Sequence, residues 1–362
     1  MKLIKVSAVL LLVFTVILVT ACESSEKSDE VNSKHKGSDI KMANDNSEIN
    51  ADDSINFGSY CADMCQESLT LQAPRESIEG KVGLIVSGFF PYGLGTRIMG
   101  AEAARKYFPN MELIIGNGDN DPEIQSSIVD DFIAKKVDVI VIDLVRKNAV
   151  NPALERAKAA GIPIITIDRW TPAEVLTLIK ADDVEVGRKA GQHIVSLLEG
   201  KGKVIEIKGS EDSTTTIDRH KGILESFKGY NDIQIIESVN ADFSEGKAQQ
   251  KMGDILQRLP KGKIDAVVSH ADVMTMGAIK AIKAAGRENE IVVVSVDGQK
   301  SALKAIEAGD IDATVAYPIV MPMGIVAAAK TLAGEPIPEY IELEAPLITK
   351  ENVAFYKDKT GY

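Results

Sequence analysis

Positive charge is scarce in this 362-residue chain, and so are aromatic rings, cysteines and histidines. Lysine and arginine total 41 against 53 aspartates and glutamates, a net charge of −12. Phosphate backbones are held by basic faces, so nucleic acid is excluded as the expected partner. Aromatics make up 5% of the chain, with one tryptophan, Trp170; that is too little ring surface for an aromatic adhesive face. The four histidines, His35, His193, His220 and His270, stand far apart without ligand spacing. No metal site and no cofactor are expected. The mostly apolar N-terminal run, Val6 to Val19, is shorter than the roughly 20 residues a membrane span needs.

That run has a different use. Lys2 and Lys5 precede it, and Thr20-Ala21-Cys22 follow it. A basic start, an apolar middle and small residues before a cut make an export signal, residues 1–21. A cysteine directly after the cut resembles the bacterial lipoprotein signal, which implies lipidation at Cys22 and an extracytoplasmic protein anchored to the cell membrane. Cys61 and Cys65, in "YCADMC", are four residues apart. Outside the cytoplasm such a pair tends to oxidise, and on one helical turn it comes within disulfide range. Half of a metal site is the alternative, but no second pair exists. Residues 22–79 read as the lipidated N-terminus and a flexible linker, because "ESSEKSDEVNSKHKGSDIKMANDNSEINADDS" cannot bury a core; 59–79 is ambiguous and is expected to wrap loosely on the folded body.

From Lys81 onward short β-branched runs alternate with helix-favouring segments. "VDVIVID", "IPIITID" and "EIVVVSVD" are near-continuous apolar strands, the signature of parallel sheet covered on both faces. So many βα units make one sheet too long. The expected fold is therefore α/β with two doubly wound parallel-sheet lobes joined by hinge strands. Residues 80–181 plus 318–343 form the N-terminal lobe, and 182–317 plus 344–362 the C-terminal lobe.

In open α/β sheets ligands sit beyond the carboxyl ends of the strands. Three strands end in aspartate, at Asp143, Asp168 and Asp297, and Asp168 is followed by Arg169 and Trp170. One such aspartate is commonly a helix cap or turn former; three together point to a polar ligand. Carboxylates accept from hydroxyls and an arginine fork donates to oxygens, which suits a neutral polyhydroxylated molecule. Arg169 is expected to lower the pKa of Asp168 and keep it ionised in the cleft. Trp170 either edges the cleft or packs under the next loop.

From about Lys81 to Glu344 the chain resembles the ribose-type periplasmic sugar-binding proteins of ABC importers, whose fold is shared with the ligand domains of lactose-repressor-type regulators. The likeness is carried by "GLIVSGFF", "IPIITIDR", "DRHKGI", "NADFSEGKA", "DAVVSHADVMTMGAIKAI" and "VVVSVDG". It implies ligand contacts from Ser87, Asp168, Arg169, Arg219, Phe243 and Asp297. The paired phenylalanines of the family's first loop stand shifted here, as Phe89 and Phe90. Asp143 and Ala271 replace asparagines, and Tyr317 stands where ribose binders place glutamine near the hinge. A site built for ribose would be left with unmatched polar groups, so the expected ligand is another pentose, hexose or polyol. The resemblance further implies a monomer that delivers its sugar to an ABC permease. A sensing lipoprotein, presenting sugar to a chemoreceptor or sensor kinase, is the alternative.

Two enzyme readings compete. "VSGFFPYGLG" with Asp119 imitates a dinucleotide fingerprint, but its third glycine falls at Gly100, too late for the motif. A glycosidase could pair Asp143 with Asp168, yet Arg169 favours hydrogen bonding over proton donation. No enzyme activity is expected.

Overall fold

The computed structural model describes residues 63–88 and 91–357. Phe89, Phe90, Cys22 and Cys61 therefore lie outside the described residues. The first sheet contains β1 (Gly80–Val86), β2 (Met111–Asn117), β3 (Val139–Asp143), β4 (Ile164–Ile167), β5 (Thr177–Ala181) and β11 (Tyr340–Leu343), in the order β11-β5-β4-β3-β1-β2. Every pairing in it is parallel. The second sheet contains β6 (Lys201–Lys208), β7 (Asp232–Asn240), β8 (Ala266–Ser269), β9 (Val292–Asp297), β10 (Ala313–Ala316) and β12 (Leu347–Thr349), in the order β12-β10-β9-β8-β6-β7. Here β12 runs antiparallel to β10, a departure from the all-parallel expectation at one edge.

The strands follow from their composition. VIVID, IITI and AVVS are buried along their whole length, because helices cover both faces and no side of the strand meets water. The edge strand β7, DIQIIESVN, has several exposed positions interleaved with buried or half-buried ones. In both sheets the order reverses beside one strand, β1 in the first and β6 in the second, which opens a crevice at the carboxyl ends.

The chain passes between lobes three times. It leaves β5 and enters α5 (Asp183–Leu197), which packs on β9 and β10. It leaves β10 and enters α10 (Met321–Leu332), which packs on β3, β4 and α2 (Pro91–Tyr107). It then runs from β11 to β12. Asp182 caps α5 by accepting from the Val184 and Glu185 N–H groups, so the first crossing ends in a fixed helix start.

In the second lobe α5 lies against α6 (Thr214–Ser226) at backbone distance. A Cβ at Gly222 would stand 1.9 Å from the Val184 carbonyl oxygen, and one at Gly187 2.1 Å from that of Arg219. Only glycine permits this approach.

Within the stretch expected to be linker, residues 63–79 are ordered against the first lobe. α1 (Asp63–Leu69) buries Leu69, and Ile78 is buried beyond it. The Glu335 carboxylate accepts from the Gln72 and Ala73 N–H groups at 2.9 and 2.8 Å, and Lys330 Nζ donates to the Thr70 carbonyl at 2.6 Å. Cys65 is buried and disulfide-bonded. The polar composition upstream hides this change, because the apolar residues that dock are few and irregularly spaced. Among the described residues no helix is long and apolar enough to cross a membrane.

Glu335→Ala removes the acceptor for two backbone donors and should cost about 1–3 kcal/mol locally. Hydrogen exchange at Gln72 and Ala73 is expected to quicken while β3 and β9 stay protected; unchanged exchange there would count against the docking.

Candidate functional site

The crevices of the two sheets face one hollow of about 440 Å³, counting its open mouth. The N-terminal lobe lines it with Tyr92 at the start of α2 and with Asp168 and Arg169 just past β4. The C-terminal lobe contributes Thr215 and Arg219 from α6, Phe243 after β7, and Asp297 and Gln299 after β9. Tyr317, on the second crossing, closes the back, and its N–H donates to the Asp297 carbonyl at 2.9 Å.

The backbone turns these side chains out of the sheets. Asp168, Phe243 and Asp297 have φ of 66°, 54° and 124°, a region costly for residues with a Cβ. Such strain persists where the surroundings over-determine it and clusters at functional sites.

Each arginine is held by carboxylates. Arg169 Nε lies 3.5 Å from Asp168 and its Nη1 3.8 Å from Asp143, while Nη1 also donates to the Leu144 carbonyl. Arg219 Nε donates to Asp183 at 3.0 Å and its Nη1 to the His270 carbonyl, with Asp297 at 3.5 Å. The Arg219 guanidinium also lies 4.9 Å from the centre of the Tyr317 ring. Lys180 Nζ completes the web 2.8 Å from Asp183.

Burial dominates the ionisation. It raises Asp168, with Arg169 opposing, and raises Asp297 well above its ordinary value, with Arg219 opposing. The expectation that Arg169 would lower Asp168 is corrected: the loss of water outweighs the neighbouring cation. The Tyr317 hydroxyl is pushed up by burial and by the Asp168 charge.

The expected site residues separate into two layers. Asp168, Arg169, Arg219, Phe243, Asp297 and Tyr317 come together around the hollow. Ser87 and Asp143 do not line it. Both are fully buried, and the Asp143 carboxylate accepts from the Ser87 hydroxyl and, at 3.3 Å, from the Ser87 N–H. Asp143 is the last residue of β3, in register with Ile167, so its side chain keeps the strand pleat and meets the end of β1. Asp168 lies one residue past its strand and is redirected by its left-handed backbone. Asp143 thus backs Arg169 rather than reaching a ligand.

Trp170 is half-buried and does not line the hollow; Lys147 Nζ sits 3.7 Å from its ring centre. Gly93 and Gly95 of the dinucleotide-like stretch lie inside α2, not in a phosphate-cradling loop.

Several partners escaped the sequence. Asp272 accepts from Ser295, Thr314 and the Gln299 N–H, tying β9, β10 and the loop after β9 to the start of α8 (Asp272–Ala284). Glu206 accepts from Ser238 and is bound to His270 and His220 at 3.0 and 2.8 Å. Although burial opposes it, these contacts bring Glu206 down to about 2. A glutamate inside the apolar run "VIEIK" was its one signal. At the rim Arg146 pairs with Asp212, joining the two lobes. Among the described residues no group of three or more His, Cys, Asp or Glu could hold a metal ion.

A family profile described as periplasmic binding protein domain matches residues 97–334. The chain belongs to the periplasmic binding protein family. The ribose import binding protein of Bacillus subtilis is 35% identical over 200 residues, 54% of this chain and 63% of that protein. The galactofuranose-binding protein of Escherichia coli is 33% identical over 219 residues, 58% of this chain and 68% of that protein. The match thus spans about two thirds of these relatives' length. In three dimensions this periplasmic binding protein is similar to an ABC transporter solute-binding protein from Bacillus halodurans solved with myo-inositol. The TM-score is 0.74 at 25% identity, covering 78% of this chain and 99% of that one. The expected architecture of two α/β lobes is the architecture observed.

Burial raises the Asp143 carboxyl to about 7, against the pull of Arg169. The folded protein therefore keeps a proton there that the unfolded chain releases above about pH 4. This contribution is full at low pH and is lost as pH rises through about 7. Asp143→Asn does not titrate, so its melting temperature relative to the parent should climb between pH 4 and pH 8 in scanning calorimetry. A flat difference would contradict the assignment.

Proposed function

We propose that this protein captures a neutral monosaccharide or polyol between its lobes and delivers it to a membrane permease of an ABC importer. The observation that carries the reading is the meeting of Asp168 and Arg169 from one lobe with Arg219 and Asp297 from the other across a single hollow. Hydroxyl groups donate to the carboxylates and accept from the guanidinium forks, so a sugar satisfies groups that are costly to leave buried and unmatched. A ligand bound to both lobes favours their closed arrangement by its differential affinity for it. Closure excludes water and strengthens each charge-assisted bond. The permease then reads the closed surface. The names of the relatives, ribose import and galactofuranose-binding proteins, support this ligand class. Lipidation at Cys22 would tether a monomer outside the membrane, within reach of that permease.

The test is a thermal-shift and calorimetric screen of pentoses, hexoses, inositols and sugar alcohols. Trp170 adds a fluorescence readout, since it follows Arg169 directly. Asp168→Ala should weaken the ligand found by about 2–5 kcal/mol; unchanged affinity would remove Asp168 from the site. Recovery of the sugar intact separates capture from the hydrolysis that a carboxylate pair could perform.

A further inference from the structure

The first turn of α6 carries an unusual run, Ser213-Thr214-Thr215-Thr216, in which all four side chains are buried. None of their hydroxyls has a hydrogen-bond partner. Ser213 is the N-cap, yet it makes no side-chain bond to the turn it begins. The leading N–H groups of an α-helix have no intrahelical acceptor, so this end of α6 concentrates donors. Thr215 lines the hollow at 4% exposure, and Arg219, four residues on and on the same helical face, lines it too. The close packing of α5 on α6 at Gly187 and Gly222 leaves this face no room to withdraw.

We propose that the Thr215 hydroxyl, backed by the first turn of α6, is a specificity-determining subsite of the hollow that binds a neutral oxygen of the ligand on the side facing the C-terminal lobe. The inference rests on the sugar-binding reading and sharpens it. A helix start also attracts anions, but no side-chain cation beside it is free to balance one. Each nearby cation, Arg169, Arg219 and Lys180, is already paired with an aspartate. A negative charge would be left without a counter-charge of its own in a water-poor space, whereas a hydroxyl accepts from Thr215 and carries no charge. Burying the Thr215 hydroxyl unpartnered is costly, and a ligand lacking the matching oxygen leaves that cost in place.

The experiment is titration calorimetry of the wild-type chain, Thr215→Val and Thr215→Ser with D-galactose, L-arabinose, myo-inositol and xylitol. D-galacturonate and D-galactose 6-phosphate are the acidic counterparts. Valine keeps the shape and removes the hydroxyl; serine restores it. Thr215→Ala serves if valine lowers the melting temperature. A neutral member that binds the wild type should bind the valine variant about 10-fold more weakly, with serine recovering most of the loss. The acidic sugars should bind more weakly than galactose. Binding of the same neutral sugar within twofold in the valine variant, or tighter binding of the acids, overturns the subsite and leaves sugar capture standing. Failure of every neutral sugar to bind the wild type overturns both.

Discussion

Two guanidinium groups, Arg169 and Arg219, balance a buried wall of carboxylates, and the organisation of the cleft depends on where they are held. Either charge alone in this setting would cost several kcal/mol. Arg169 is pinned by Asp168, Asp143 and the Leu144 carbonyl. Arg219 is pinned by Asp183, Asp297 and the His270 carbonyl. Each therefore enters the hollow already oriented, with donors left over for another molecule.

The supporting groups show how that orientation is kept. Ser87 holds Asp143 behind Arg169. Glu206 fixes the His270 ring, whose own backbone oxygen takes Arg219. Asp272 ties the Gln299 backbone, just past the β9 end that carries Asp297, to Thr314 of β10. Asp168 and Phe243 both carry left-handed backbone, the kind of strain that persists where surroundings over-determine it.

Much of this was legible in the sequence. Apolar runs ending in aspartate located the strand ends, and alternation with helical segments located the two sheets. The motif around Asp168 and Arg169 led to the hollow. Asp143 was misread because a strand end specifies that a side chain is near the crevice but not which way it points. Thr215 gave no signal at all, since a threonine at a helix start is ordinary until its neighbours are known to leave it unpartnered. The segment before β1 was expected to wrap on the body, but not where it docks, because that depends on Lys330 and Glu335, distant in the chain.

The sequence by itself determined the succession of βα units and the acids at their ends. Periodicity, strand composition and turn chemistry are properties of adjacent residues and need no partner to be read. Only the tertiary structure decided which acids face the cavity and which stand behind an arginine. That choice turns on backbone φ at single residues, on the backbone approach of α5 to α6, and on contacts between segments that meet only when the three crossings bring the lobes together.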